Sequence, residues 1–191
     1  MYRIFPSPKQ CTFYHNTLSC TSYGSVTTAP EIEESCRAAG FDPAPLLASV
    51  FPGGFSPEGI TLTAEYVSCA PEGFQLNIAP SGIRISCGDG AGFFYALGVL
   101  VQLAAQAGGT LPCAEIADEP VLSVRGIMLD IGRDKIPAME TLRRLIDLFA
   151  SMRINHLQMY MEGFSFDYED FHYLFTNETP MTPAEFRELS L

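Results

Sequence analysis

The chain has 191 residues, 47% of them apolar and 17% charged, which is the composition of one or two globular domains with a true core. Twenty-two acidic residues against eleven basic ones leave a net charge of −11, which counts against nucleic-acid phosphates and anionic lipid surfaces as partners. The six cysteines (11, 20, 36, 69, 87 and 113) have no CxxC spacing, and the three histidines (15, 156 and 172) have neither HxxxH nor HxH spacing. Metal ligation is therefore not expected, and the thiols read as reduced and mostly buried.

The opening MYRIFPSPKQ lacks the apolar run of an export signal, so the expected location is cytoplasmic. The longest apolar stretch, Ala91 to Ala107, is short for a membrane span and carries Tyr95, Gln102 and Gln106. Further along, Ile60, Leu62, Ala64 and Tyr66 alternate with Thr61, Thr63, Glu65 and Val67, the pattern of a half-buried strand. Phe74, Leu76 and Ile78 alternate with Gln75 and Asn77; Pro80-Ser81-Gly82 turns the chain and Ile83 to Ser86 returns, which predicts a hairpin over 73–87. A helix follows over about 91–107, stopped by Gly108-Gly109. It is apolar nearly all round, so it requires the sheet on one side and a second cover, here expected from a larger following domain.

Residues 112–120 (PCAEIADEP) read as an acidic, proline-bounded linker. After it, Arg125 to Asp130 forms an apolar run ending in a carboxylate. An amphipathic helix is predicted over about 138–153, and a second apolar run over 154–161 ends at Glu162. Strand, helix and strand at these lengths make a βαβ unit, and polar groups at the C-terminal ends of such strands are where α/β barrels keep their sites. Thr182-Pro183-Ala184-Glu185 is a capping box with proline at the first helical position. The helix that it opens runs to Leu191 with no C-cap, so the chain is expected to stop inside an element.

Four constellations compete for a functional reading. The Gly88-Asp89-Gly90-Ala91-Gly92 loop has the wrong spacing for a dinucleotide fingerprint and follows a hairpin, so a tight turn before a buried helix accounts for it. Asp118-Glu119 reads as a solvated linker pair, and Glu169-Asp170 as a polar patch in an aromatic-rich loop. Arg125 opens an otherwise apolar strand. Either it pairs with Asp130 or another acid, or its guanidinium fork faces ligand oxygens.

The stretch GFQLNIAPSGIRISCGDGAGFFYALGVLVQL (73–103) resembles the small α/β domain that precedes the barrel in family 20 glycoside hydrolases. The stretch IADEPVLSVRGIMLDIGRDKIPAMETLRRLIDLFASMRINHLQMYME (116–162) is similar to that family's linker and first two barrel strands, and IFPSPKQCTF to its usual start. The resemblance implies an α/β fold: a front domain over 1–118 with an antiparallel or mixed sheet and covering helix, then an incomplete (β/α)8 TIM-barrel segment over 119–191. It implies removal of terminal N-acetylglucosamine or N-acetylgalactosamine by substrate-assisted, retaining hydrolysis, without a cofactor or metal. Arg125 matches the family arginine that grips the sugar hydroxyls, and Tyr160 and Glu162 stand where a pocket would be lined. The catalytic Asp-Glu pair belongs to a later barrel strand and is expected beyond Leu191. Two rival readings are the front part of another glycosidase family, and a non-catalytic module that binds sugar or a partner. The open strand edges of an unclosed barrel would favour self-association. On these grounds the purified 191-residue chain is expected not to hydrolyse an aryl N-acetylglucosaminide; turnover in a preparation free of host enzyme would show that the acid-base pair lies within it.

Overall fold

The computed structural model describes residues 2–133, 135–163, 165–168, 170–171 and 179–189. It divides into two compact units, Met1–Val121 and Leu122–Leu191.

The first unit is a six-stranded mixed sheet with helices on one face. Its strands are β1 (Gln10–Ser19), β2 (Tyr23–Thr28), β3 (Ile60–Tyr66), β4 (Phe74–Ala79), β5 (Gly82–Cys87) and β6 (Thr110–Asp118), in the spatial order β1-β6-β4-β5-β3-β2. Four neighbours from β1 to β5 run antiparallel in turn, whereas β5–β3 and β3–β2 are parallel. The predicted hairpin is β4–β5, with Ala79 paired to Gly82 across the turn. Period-two alternation sends Leu62, Leu76, Ile78 and Ile85 to the helical face, each almost fully buried.

Against that face lies α3 (Gly90–Ala107), capped by Asp89, whose Oδ1 accepts from the Gly92 amide at 2.7 Å and whose Oδ2 accepts from the Glu72 amide at 2.8 Å. The glycines before and within its first turn allow close packing against other segments: a Cβ on Gly92 would stand 2.4 Å from the Gly73 carbonyl oxygen. Leu97, Leu100 and Leu103 are buried completely. Part of the second cover of α3 comes from within this unit. Helices α1 (Pro30–Ala38) and α2 (Ala44–Val50) flank it, and Phe41 packs edge-on to Phe94 at 5.1 Å. The two helices have only nine and seven residues, each with proline in its first turn, which hid them in the sequence. By length and composition α3 could cross a membrane, but half of it is buried in this core.

One correction concerns 112–120. Residues 110–118 are strand β6, paired to β1 on one side and β4 on the other. Leu111, Ala114 and Ile116 turn into the core; of the residues that suggested a linker, Glu115 points outward, Asp118 ends the strand, Pro120 lies beyond it, and Pro112 is buried within it. Asp118 accepts from the Lys9 amide at 3.1 Å, and Glu119 pairs with the Lys9 ammonium at 2.9 Å, so these carboxylates tie down the start of β1. Cys20, Cys36, Cys87 and Cys113 are buried and Cys11 and Cys69 exposed, all as free thiols. Burial pushes the Cys87 thiol up to about 12, which keeps it inert.

The glutamines of α3 fasten the N-terminus. Gln106 accepts from the Arg3 amide at 2.9 Å and donates to its carbonyl at 2.7 Å; Gln102, one turn earlier, does the same for Phe5 at 2.7 Å each way. Two carboxamides four residues apart thus bond the segment as a neighbouring strand would, while Tyr2 and Ile4 pack on the core.

In the second unit, β7 (Gly126–Asp130), α4 (Met139–Ser151) and β8 (His156–Tyr160) form the predicted parallel βαβ unit, with α5 (Pro183–Leu189) following. Leu142 of α4, Ile131 and Met181 are its buried centre. The capping box is formed: the Thr182 amide and hydroxyl donate to Glu185 at 2.8 and 2.9 Å, and the Glu185 amide returns to the Thr182 hydroxyl at 3.2 Å. Those bonds hold the Glu185 carboxyl below its ordinary range.

Replacing Gln102 and Gln106 together by alanine removes all four bonds to the N-terminal segment. The expected cost is about 1–3 kcal/mol in urea unfolding, with faster amide exchange at Arg3 and Phe5; unchanged exchange there would assign the attachment to Tyr2 and Ile4 alone.

Candidate functional site

In the second unit, register decides which side chains meet. Parallel pairing sets Gly126 opposite His156 and Asp130 opposite Tyr160, so both strands finish at one level. The Ile131 amide adds a further bond to the Tyr160 carbonyl at 3.0 Å. The two outgoing turns then lie against each other at Gly132, where a Cβ would stand 2.5 Å from the Glu162 nitrogen. Only a residue without a side chain fits this approach.

The Asp130 carboxylate shapes its own turn, accepting from the Gly132 amide at 2.9 Å through Oδ1. Its Oδ2 lies 3.6 Å from Arg133 Nε, and Glu162 Oε2 lies 3.3 Å from the same nitrogen. The Arg133 guanidinium carbon stands 5.6 Å from the centre of the Tyr160 ring, within cation–π range. The Glu162 and Asp130 carboxylates hold the Arg133 proton more firmly than usual. The Tyr160 hydroxyl is likewise raised above its ordinary value, chiefly by its hydrogen bond to Glu162 and that carboxylate's charge. The Arg133 side chain is 70% exposed, so such pairs contribute little to stability. They orient the arginine.

Arg125 sits elsewhere. It precedes β7 and is therefore separated from the Asp130 end by about 16 Å of extended chain. Its Nε donates to the Arg153 carbonyl at 2.6 Å and its Nη1 to the Leu122 carbonyl at 2.7 Å. Its amide donates to Asn155 Oδ1 at 2.9 Å, and its carbonyl accepts from the Asn155 amide at 3.0 Å. The expected acid partner, Asp130, is paired with Arg133 instead. The structure thus brings Tyr160 and Glu162 together and keeps Arg125 at the opposite end of the strand pair. Asp130, Gly132 and Arg133 were not singled out from the sequence. The signal was present in the run Leu129 to Arg133, a strand ending in a carboxylate followed by glycine and a second arginine.

Of the acidic pair in the aromatic loop, Asp170 is exposed and Glu169 lies outside the described residues, as does His172. Among the described residues no group of histidine, cysteine and carboxylate side chains could hold a metal.

A mixed α/β unit is thus followed by a βαβ unit with polar side chains gathered where its parallel strands end, the end at which α/β folds hold their ligands. Residues 1–119 match the model of glycosyl hydrolase family 20, domain 2, and the chain belongs to that family. It is 32% identical over 93 residues to a beta-hexosaminidase of Akkermansia muciniphila, covering 47% of this chain and 19% of that protein. Against a beta-hexosaminidase of Vibrio vulnificus it is 26% identical over 158 residues, 83% of this chain and 18% of the relative. The fold matches the family 20 exo-β-N-acetylglucosaminidase of Vibrio harveyi, solved with N-acetylglucosamine, at a TM-score of 0.76 and 20% identity, over 97% of this chain and 33% of that one. The chain thus spans about a fifth of the curated relatives that it matches.

The Tyr160 hydroxyl offers a check on this geometry. Glu162→Gln removes the charge that retains the phenolic proton and should lower the Tyr160 titration midpoint toward 10.0; Arg133→Ala removes the opposing cation and should raise it. Site-resolved tyrosine NMR through alkaline pH reads both, and equal midpoints in the three proteins would separate Tyr160 from the cluster.

Proposed function

We propose that this chain is the front part of a β-N-acetylhexosaminidase, which removes terminal N-acetylglucosamine or N-acetylgalactosamine from glycoconjugates. Residues 1–118 are then the domain that precedes the barrel, and 119–191, with β7, α4, β8 and α5, the beginning of a (β/α)8 barrel. One observation carries the reading: Asp130, Arg133, Tyr160 and Glu162 converge where two parallel strands end, the place where such barrels bind their substrates.

In this reading Arg133 grips the sugar. Both carboxylates make their closest approach at Nε, which turns the Nη1–Nη2 edge, a pair of parallel donors, to adjacent hydroxyl oxygens. Glu162 and Asp130 supply acceptors for hydroxyl protons, and Tyr160 supports the guanidinium from below. Bond cleavage requires a proton donor and a group that orients the acetamide. By family resemblance these are an Asp-Glu pair on a later strand, with the substrate's own acetamido oxygen as nucleophile. Arg125, matched to the sugar-gripping arginine by its sequence position, is reassigned here to joining the strand starts.

The two arginines separate in kinetics. In the full-length enzyme Arg133→Ala should lower kcat/KM about 100-fold, a loss of about 2.7 kcal/mol of transition-state binding, and Arg133→Lys should recover little of it. Arg125→Ala should lower the melting temperature while leaving kcat/KM within about threefold. The reverse pattern would place the sugar at Arg125.

A further inference from the structure

Within the first unit, the helices lie against one face of the six-stranded sheet. On the other, register lines up outward residues across the strands: Gln10 of β1, Ala117 of β6, Gln75 of β4 and Ser86 of β5 form one row. In the next row Asn77 stands between Glu115 and Arg84. These rows line a concave hollow of about 810 Å³, within the range of about 300–1,000 Å³ that holds small ligands.

Three features define what would fit. First, Ala117 ends at its Cβ, so the row has a low floor between Gln10 and Gln75, whose strands lie about 10 Å apart. That gap admits a pyranose ring with a hydrogen bond at either edge. Second, the carboxamides of Gln10, Gln75 and Asn77 make no hydrogen bond among the described residues. Each offers a donor beside an acceptor, the pairing that a hydroxyl group satisfies in both directions. Third, charge on this face is sparse, one cation against two carboxylates. The lining holds eight uncharged polar residues and three charged ones, Glu65, Arg84 and Glu115, with Arg84 paired to Glu65 at 3.5 Å and the Tyr14 hydroxyl bonded to Glu115. On a chain of net charge −11 such a face repels anions, and it lacks the apolar centre that a protein partner requires.

We infer that this hollow is a second carbohydrate site, which binds a neutral oligosaccharide through Gln10, Gln75 and Asn77. It lies in the first unit and shares no residue with the Arg133 cluster, so it stands or falls independently of the proposed hydrolase site. If hydrolysis takes place in the other unit, as proposed above, the position of this hollow suits retention of a glycan chain rather than recognition of its terminal sugar.

The test is a titration of the 15N-labelled 191-residue chain with the β-1,4-linked tetramer of N-acetylglucosamine, and in parallel with cellotetraose. The expected result is a saturating shift of the Gln10, Gln75 and Asn77 side-chain amide signals, with a Kd of about 1 mM for a few exposed hydrogen bonds. The double variant Gln75→Ala/Asn77→Ala should weaken binding about fivefold or more at an unchanged melting temperature. Gln10→Ala on the edge strand repeats the test where the double change perturbs folding, and Arg133→Ala should leave the shifts intact. Binding of both tetramers would make the site general for neutral glycans, and binding of the first alone would tie it to the acetamido sugar. Absence of shifts up to about 20 mM of either, shifts that survive the Gln75 and Gln10 variants, or shifts that vanish in Arg133→Ala would overturn it.

Discussion

The polar cluster of the second unit depends on the parallel register of β7 and β8. Because Asp130 lies opposite Tyr160, the two chains leave the sheet together, and one backbone contact, Gly132 against Glu162, sets the distance between them. A slip of one residue would send every side chain on the strand to the other face. The Arg133 guanidinium would then lose both carboxylates and the aromatic ring at once. The register is itself secured at the strand starts, where Arg125 and Asn155 exchange backbone and side-chain bonds. Arg125 and Arg133, eight residues apart in one short segment, thus work at opposite ends of the same strand pair.

The first unit depends on burial of a single helix. With Leu97, Leu100 and Leu103 at its centre, α3 meets three strands and two helices, and its ends and flank are satisfied locally by the Asp89 cap and the two glutamines. Hydrophobic area drives the association, and the polar groups decide its geometry. The Gln102 and Gln106 contacts are a case where helix spacing of four residues reproduces the repeat of an extended chain: their carboxamides engage Arg3 and Phe5, two residues apart.

Electrostatics plays different parts in the two units. The ion pairs are exposed and salt-screened, so they orient side chains more than they stabilise the fold. At Arg133 this orientation holds a cation between two carboxylates at the strand ends. On the sheet face away from α3, Arg84 and Glu65 offset each other beside the uncharged carboxamides. An excess of acidic residues over the whole chain therefore coexists with a sheet face lined mainly by uncharged polar side chains.

The sequence by itself determined those elements whose signals are local. Period-two alternation fixes the β4–β5 hairpin, the turn residues bound α3, the 3.6-residue stripe marks α4, and Thr182 to Glu185 spell out a capping box that forms as written. The family likeness rests on the same stretches. Tertiary structure alone decided the rest, because it depends on which distant segment lies alongside. Residues 110–118 are acidic and proline-bounded in isolation and become a central strand only when β1 and β4 pair with both edges. The helices α1 and α2 are too short to announce themselves and acquire their role from the apolar surface of α3. From the sequence Arg125 alone was singled out in the β7 segment; the strand register, a contact between residues thirty apart, places it among backbone carbonyls and Arg133 between two carboxylates.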